Sequence, residues 1–141
     1  MSAETILLIQ AAAGFALLGV IWVVQLVVYP AFRMVRPEDL LVYHRAHVRH
    51  ITPVVAPLML AELGSGLWLL LHPDLAPPLQ PAAFVCTVTV WLSTFLIQVP
   101  LHHRLERGFD GPLIERLIAT NWIRTAAWTA KATLVAMGWP G

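Results

Sequence analysis

The chain alternates between long apolar runs and short polar connections. No charged residue occurs from Ile6 to Phe32. That run exceeds the roughly 20 apolar residues that cross a hydrocarbon core as a helix. It follows Glu4 instead of a basic segment, and it closes on Val27-Val28-Tyr29-Pro30 with no small-residue cleavage site. It therefore reads as a retained helix, not a cleaved leader. A second span is expected from Ile51 to Leu71, interrupted by Pro53, Pro57 and a single charge, Glu62. Pro37-Glu38-Asp39 supplies acidic helix-start chemistry before it, so Asp39–His50 reads as an amphipathic extension of the same helix. A third span starts at Pro81 and runs to about His103, with no charge between Ala82 and Pro100. A fourth helix is expected from Leu113 to Met137, started by Gly111-Pro112 and ended by Gly138. It is the most polar of the four, carrying Arg116, Arg124 and Lys131.

Composition agrees. The 141 residues are 58% hydrophobic and 12% charged, with a mean hydropathy of +0.71. A soluble domain has about 45–50% apolar and about 25% charged residues. Disorder, nucleic-acid binding and an ordinary soluble enzyme are thereby disfavoured, and a net charge of +1 leaves no polyanion footprint. The single cysteine, Cys86, excludes an internal disulfide framework and a multi-cysteine zinc site, and reads as packing. The expected fold is all-α: an integral membrane four-helix up-down-up-down bundle, with residues 1–141 as a single transmembrane domain.

Arginines set the expected orientation. Arg33, Arg36, Arg45 and Arg49 lie between spans one and two, and Arg104 and Arg107 between spans three and four. The connection His72–Gln80 and both ends of the chain lack Lys and Arg. The Arg-rich connections are expected in the cytoplasm and both termini outside, in a bacterial inner (plasma) membrane.

Polar residues at membrane depth carry most of the information. At about 100° per residue, Gln10, Gly14, Ile21 and Gln25 share one face of the first helix. His44, His47 and Glu62 nearly align on the second, Trp91, Thr94, Gln98 and His102 on the third, and Asn121, Arg124, Trp128 and Lys131 on the fourth. Turning these stripes inward gives a polar interior, densest toward the cytoplasmic end and lined by Gln25, His44, His47, Glu62, Gln98, His102, Asn121 and Arg124. Glu62 needs a buried partner or a proton, since a lone carboxylate in hydrocarbon is too costly. Arg124 is expected near its depth and Lys131 within about two turns. Imidazoles on facing helices can hold a metal or haem, and the residues alone leave any cofactor open. Arg45, His47, Arg49 and His50 equally suit an interfacial segment touching anionic lipid heads. No Gly-rich phosphate loop, nucleophile elbow or HExxH is present.

Four segments also carry a family resemblance: Val28-Tyr29-Pro30-Ala31-Phe32, Thr52-Pro53-Val54-Val55-Ala56-Pro57-Leu58, Val99-Pro100-Leu101-His102-His103-Arg104-Leu105 and Asn121-Trp122-Ile123-Arg124-Thr125. Their order and spacing resemble the anthrone oxygenase-like family of small four-helix membrane proteins, over nearly the whole chain. The matching positions are Pro30, Pro100, Leu101, Asn121, Arg124 and Thr125. The chain departs from the pattern at His102-His103, where asparagine is frequent, and at Trp122, where histidine is frequent. A few members of that family are associated with oxidising anthrones to anthraquinones with molecular oxygen, and most bacterial members have no assigned role.

The resemblance implies a membrane-embedded oxidoreductase or oxygenase acting on an apolar aromatic, anthrone-like substrate. His102 or His44 would be the base, Arg124 and Asn121 would stabilise an oxyanion, and Trp91, Trp122 and Trp128 would line an aromatic slot. The site is expected between helices three and four, around His102, Asn121 and Arg124. The alternative is a non-enzymatic membrane subunit, or a cofactor- or lipid-binding four-helix protein. Expected partners are the lipid bilayer and a small apolar aromatic molecule, with no nucleic acid and with homo-oligomerisation open.

Overall fold

The computed structural model describes residues 2–108 and 110–138. They form four long helices with no strand: α1 Ala3–Met34, α2 Leu40–Leu71, α3 Gln80–Leu105 and α4 Gly111–Met137. The first three are long and apolar enough to cross a membrane. The fourth is not among them, because Asn121, Arg124 and Lys131 break its apolar run.

Local chemistry fixes the helix ends. Ser2 caps α1, its hydroxyl accepting from Thr5 N–H at 3.3 Å, with Glu4 in the first turn. Asp110 caps α4 by accepting from Leu113 N–H at 3.0 Å, with Pro112 in its first turn. Asp39 precedes α2 but does not cap it. Its carboxylate instead accepts from Arg36 at 2.7 Å. The helix α2 continues through Pro53 and Pro57, so the amphipathic segment and the second span are one element.

Prolines shape α1 and α3 differently. Each contains one wide π turn, Val24–Val28 in α1 and Thr94–Gln98 in α3. Tyr29 N–H reaches back five residues to the Val24 carbonyl, and Val99 N–H to that of Thr94. A proline follows immediately in each case, Pro30 and Pro100. Proline lacks a donor and its ring crowds the carbonyl four residues back, and a wide turn accommodates both defects.

The packing is inside-out relative to a soluble bundle. Gln10, Gln25, Glu62, Gln98, Asn121 and Lys131 are buried, while Leu8, Val27, Leu60, Leu71, Val85 and Leu96 are exposed. Helix α1 packs on α2, α3 on α4, and α1 on α4. The pair α2 and α3 meets closely at one end only. There Gly66 approaches Phe84, and an added Cβ would lie 3.2 Å from the Phe84 ring. Gln80 bridges the same end, donating to the Gly66 carbonyl at 2.9 Å and accepting from Gln10 at 2.9 Å. Toward the other end the backbones of α2 and α3 part.

Candidate functional site

Where α2 and α3 part, the four helices enclose a cavity of about 270 Å³. Its walls are apolar: Leu17, Val20, Ile21 and Val24 of α1 face Val48, Ile51 and Val55 of α2. Its polar groups come from all four helices, namely Tyr29, His47, Gln98, His102 and Arg124, with Trp128 alongside. The exposed residues Thr52, His103 and Glu106 form part of the lining, so the opening lies between α2 and α3.

Two hydrogen-bonded networks meet here. In the first, Tyr29 Oη lies 3.1 Å from His102 Nε2, and His102 Nδ1 lies 2.8 Å from His44 Nε2. His47 stacks on His102 at 6.1 Å between ring centroids. Both ring nitrogens of His102 are thus engaged, while His44 Nδ1 is buried without a partner. In the second, Arg124 Nη1 donates to Asn121 Oδ1 at 3.3 Å, and Asn121 Nδ2 donates to Gln25 Oε1 at 2.9 Å. Thr125 donates to the same Gln25 oxygen at 3.3 Å, and Gln25 Nε2 donates to the Ile118 carbonyl at 3.2 Å. The guanidinium of Arg124 lies beside the Tyr29 hydroxyl and 5.2 Å from the Trp128 ring centre. Arg124 Nε and Gln98 Oε1, from two residues of the lining, are buried and unpartnered.

A separate ionic cluster lies deeper. Glu62 pairs with Lys131 at 2.8 Å, both fully buried, and Trp128 Nε1 donates to Glu62 at 3.1 Å. Glu62 therefore finds Lys131 and not Arg124. Gly14 leaves room for the carboxylate, with an added Cβ only 3.6 Å from Glu62 Oε1.

Of the four candidates read from the sequence, His102 and Arg124 line the cavity. His44 and Asn121 stand behind them, His44 bonded to His102 and Asn121 to Arg124. The cavity does not lie between α3 and α4 alone, since Tyr29 and much of the apolar wall come from α1 and α2. The expected three-tryptophan slot is corrected too. Of those three, Trp128 lines the cavity and Trp91 and Trp122 do not. Trp122 is exposed and packs edge-on against Trp22 at 5.7 Å on the outer surface. His50 and His103 are also exposed.

Tyr29 was missed from the sequence. In an ideal helix it lies about 100° round from Gln10 and about 40° from Gln25, at the edge of the expected stripe. The wide turn at Val24–Val28 absorbs that rotation and keeps Tyr29 on the buried face. The available signal was Pro30 inside an otherwise unbroken helix, matched by Pro100 in α3.

Among the described residues, no three His, Cys, Asp or Glu side chains come together as a ligand set for a metal ion. Comparison with protein-family models, curated proteins and solved structures finds no match.

Proposed function

We propose that the chain is a membrane-embedded oxidoreductase that binds a small planar aromatic with an acidic C–H bond, of anthrone type, and promotes its oxidation by molecular oxygen. The observation that carries this reading is the pair of unpartnered buried groups, Arg124 Nε and Gln98 Oε1, on residues lining an apolar cavity beside Tyr29 and His102. A neutral hydrocarbon would satisfy neither group. A ring system bearing a carbonyl or enolate oxygen suits the arginine, and a hydroxyl on the same ring system suits the glutamine. The volume of about 270 Å³ lies just below the range of about 300 to 1,000 Å³ usual for ligand cavities, which restricts the ligand to a small molecule.

The chemistry divides into two parts. The histidine–tyrosine end of the cavity removes a proton from the ligand, and Arg124, held by Asn121, stabilises the enolate oxygen. The electron-rich enolate then meets oxygen. For anthrone the balance is one anthrone and one dioxygen to one anthraquinone and one water. The ligand enters from the bilayer through the opening between α2 and α3. The resemblance to the anthrone oxygenase-like family supports the same reading. All four helices cross the bacterial inner membrane in up-down-up-down order, with the termini outside. The inside-out distribution of polar residues supports the crossing, and the Arg-rich connections support the orientation.

The test is oxygen uptake by the purified protein with anthrone, alongside the absorbance of the quinone. Wild type should consume oxygen and form quinone in equal amounts. Arg124→Lys keeps the charge but loses the planar fork, and should lower the rate about 10²–10³-fold, the usual loss for one oxyanion donor. Wild-type protein without turnover on anthrone or its ring-hydroxylated derivatives sinks the enzyme reading. One observation favours a non-enzymatic lipid or quinone holder instead: Gln25, Asn121 and Thr125 satisfy one another, as structural glue between helices does. Under that reading a quinone binds and no oxygen is consumed.

A further inference from the structure

Tyr29, His102 and His44 form an unbroken hydrogen-bonded row across α1, α3 and α2. Tyr29 and His102 line the cavity, whereas His44 is fully buried behind them and outside the lining. A neutral imidazole has one donor and one acceptor nitrogen, so the row is complete in either of two senses. In one, the Tyr29 hydroxyl donates to His102 Nε2 and His102 Nδ1–H donates to His44 Nε2. In the other, His44 Nε2–H donates to His102 Nδ1 and His102 Nε2–H donates to the Tyr29 oxygen. A chain that is complete in both senses can pass a proton from end to end without moving a heavy atom.

Resting on the proposed function, we infer that Tyr29 is the group that takes the ligand's proton and that His102 passes a proton on to His44, buried behind the lining. His102 cannot take the ligand's proton unaided in this geometry, because both of its nitrogens are occupied. The ligand C–H bond breaks and its electron pair stays on the ligand as an enolate. The proton bonds to the Tyr29 oxygen while the original Tyr29 proton moves to His102 Nε2. The Nδ1 proton of His102 moves to His44 Nε2. Tyr29 and His102 end neutral, and His44 ends as imidazolium with protons on both nitrogens. No electrons are transferred, so this step needs no oxidant.

The arrangement separates the new charges. The enolate stays beside Arg124, and the cation sits two side chains away. Burial weighs most against a cation on His44, Glu106 attracts it and Arg45 repels it, so the imidazolium is a short-lived holder of the proton. His47 is a further imidazole within its field. His44 is therefore a relay and positioning residue, while Tyr29 is the group that would touch the ligand.

Anaerobic hydrogen exchange isolates this step from oxidation. Anthrone is incubated with the purified protein in deuterated buffer without oxygen, and deuterium at its methylene carbon is followed by mass spectrometry. Wild type should accelerate exchange. Tyr29→Phe should slow it by about 10²–10⁴-fold, the range for loss of an acid–base group. His44→Ala should slow it at least tenfold, leave anthrone quenching of tryptophan fluorescence unchanged, and recover on addition of free imidazole. A merely structural histidine would show no such recovery. Tyr29→Phe exchanging at the wild-type rate overturns the relay, as does His44→Ala exchanging normally or without rescue. Oxygen uptake by wild type without accelerated exchange overturns the relay and leaves the proposed function standing. Absence of both exchange and uptake overturns both. Should Tyr29→Phe fail to stay monodisperse, the imidazole rescue of His44→Ala decides.

Discussion

His44 Nε2 lies 2.8 Å from His102 Nδ1, tying α2 to α3 at the end where their backbones part. The bond closes a gap that apolar packing leaves open, so its loss should be felt in stability as well as in chemistry. His44→Ala strands a buried donor or acceptor on His102, at a cost of about 1–3 kcal/mol. In a double-mutant cycle with His102→Ala, followed by detergent-denaturation midpoints, the two losses should fall short of additivity by about 0.5–3 kcal/mol. Additive losses would mean that the two rings do not interact.

The Glu62–Lys131 pair should behave asymmetrically. Glu62→Gln leaves the Lys131 ammonium buried and uncompensated, which costs about 3–5 kcal/mol. The double variant Glu62→Gln with Lys131→Met removes both charges and should recover most of that loss. Unfolding in mixed micelles reads both. A single variant as stable as wild type would mean that the pair is not ionised.

Two neighbouring glycines of α2 should differ. Gly66 faces Phe84, and its added Cβ would lie 3.2 Å from the ring, so Gly66→Ala requires the Phe84 ring, packed between α2 and α3, to give by a few tenths of an ångström. A loss of about 1–3 kcal/mol is expected for such overpacking. Nothing lies within 4 Å of a Cβ at Gly64. Gly64→Ala should therefore be neutral or stabilising by about 0.5–1 kcal/mol, the usual gain in a helix interior. Equal effects at the two sites would contradict the close approach at Gly66.

Orientation can be read with reporter fusions. Fusions at both termini should report the outside, and a fusion near Gly108 the cytoplasm, because the arginines cluster in the two connections on that side. A Gly108 fusion reporting the outside would reverse the assignment.

Charge-free stretches and end chemistry were enough to find the helices. The expected second helix, extended through Asp39–His50, and the expected fourth, Leu113–Met137, match α2 and α4 closely at their ends. Helical phase also identified the buried stripes: Gln10 and Gln25 in α1, Gln98 in α3, and Asn121, Arg124 and Lys131 in α4 are all buried. Both successes have one origin. A helix satisfies its own backbone and repeats every 3.6 residues, so the pattern along one segment suffices to place it and its buried face.

Pairing between stripes was a different matter. Depth along the helices favoured Arg124 over Lys131 as the partner of Glu62, and the packed helices select Lys131. Tyr29 lies at the edge of the stripe that ideal phase defines, and the wide turn before Pro30 brings it onto the buried face. His44 and Asn121 looked like members of the site, yet each reaches the cavity only through a neighbour, His102 and Arg124. Periodicity tells which face of a helix turns inward. Which atom meets which depends on the depth and rotation of one helix against another, and those are set by contacts such as Gly66 on Phe84 that exist only once the helices are packed.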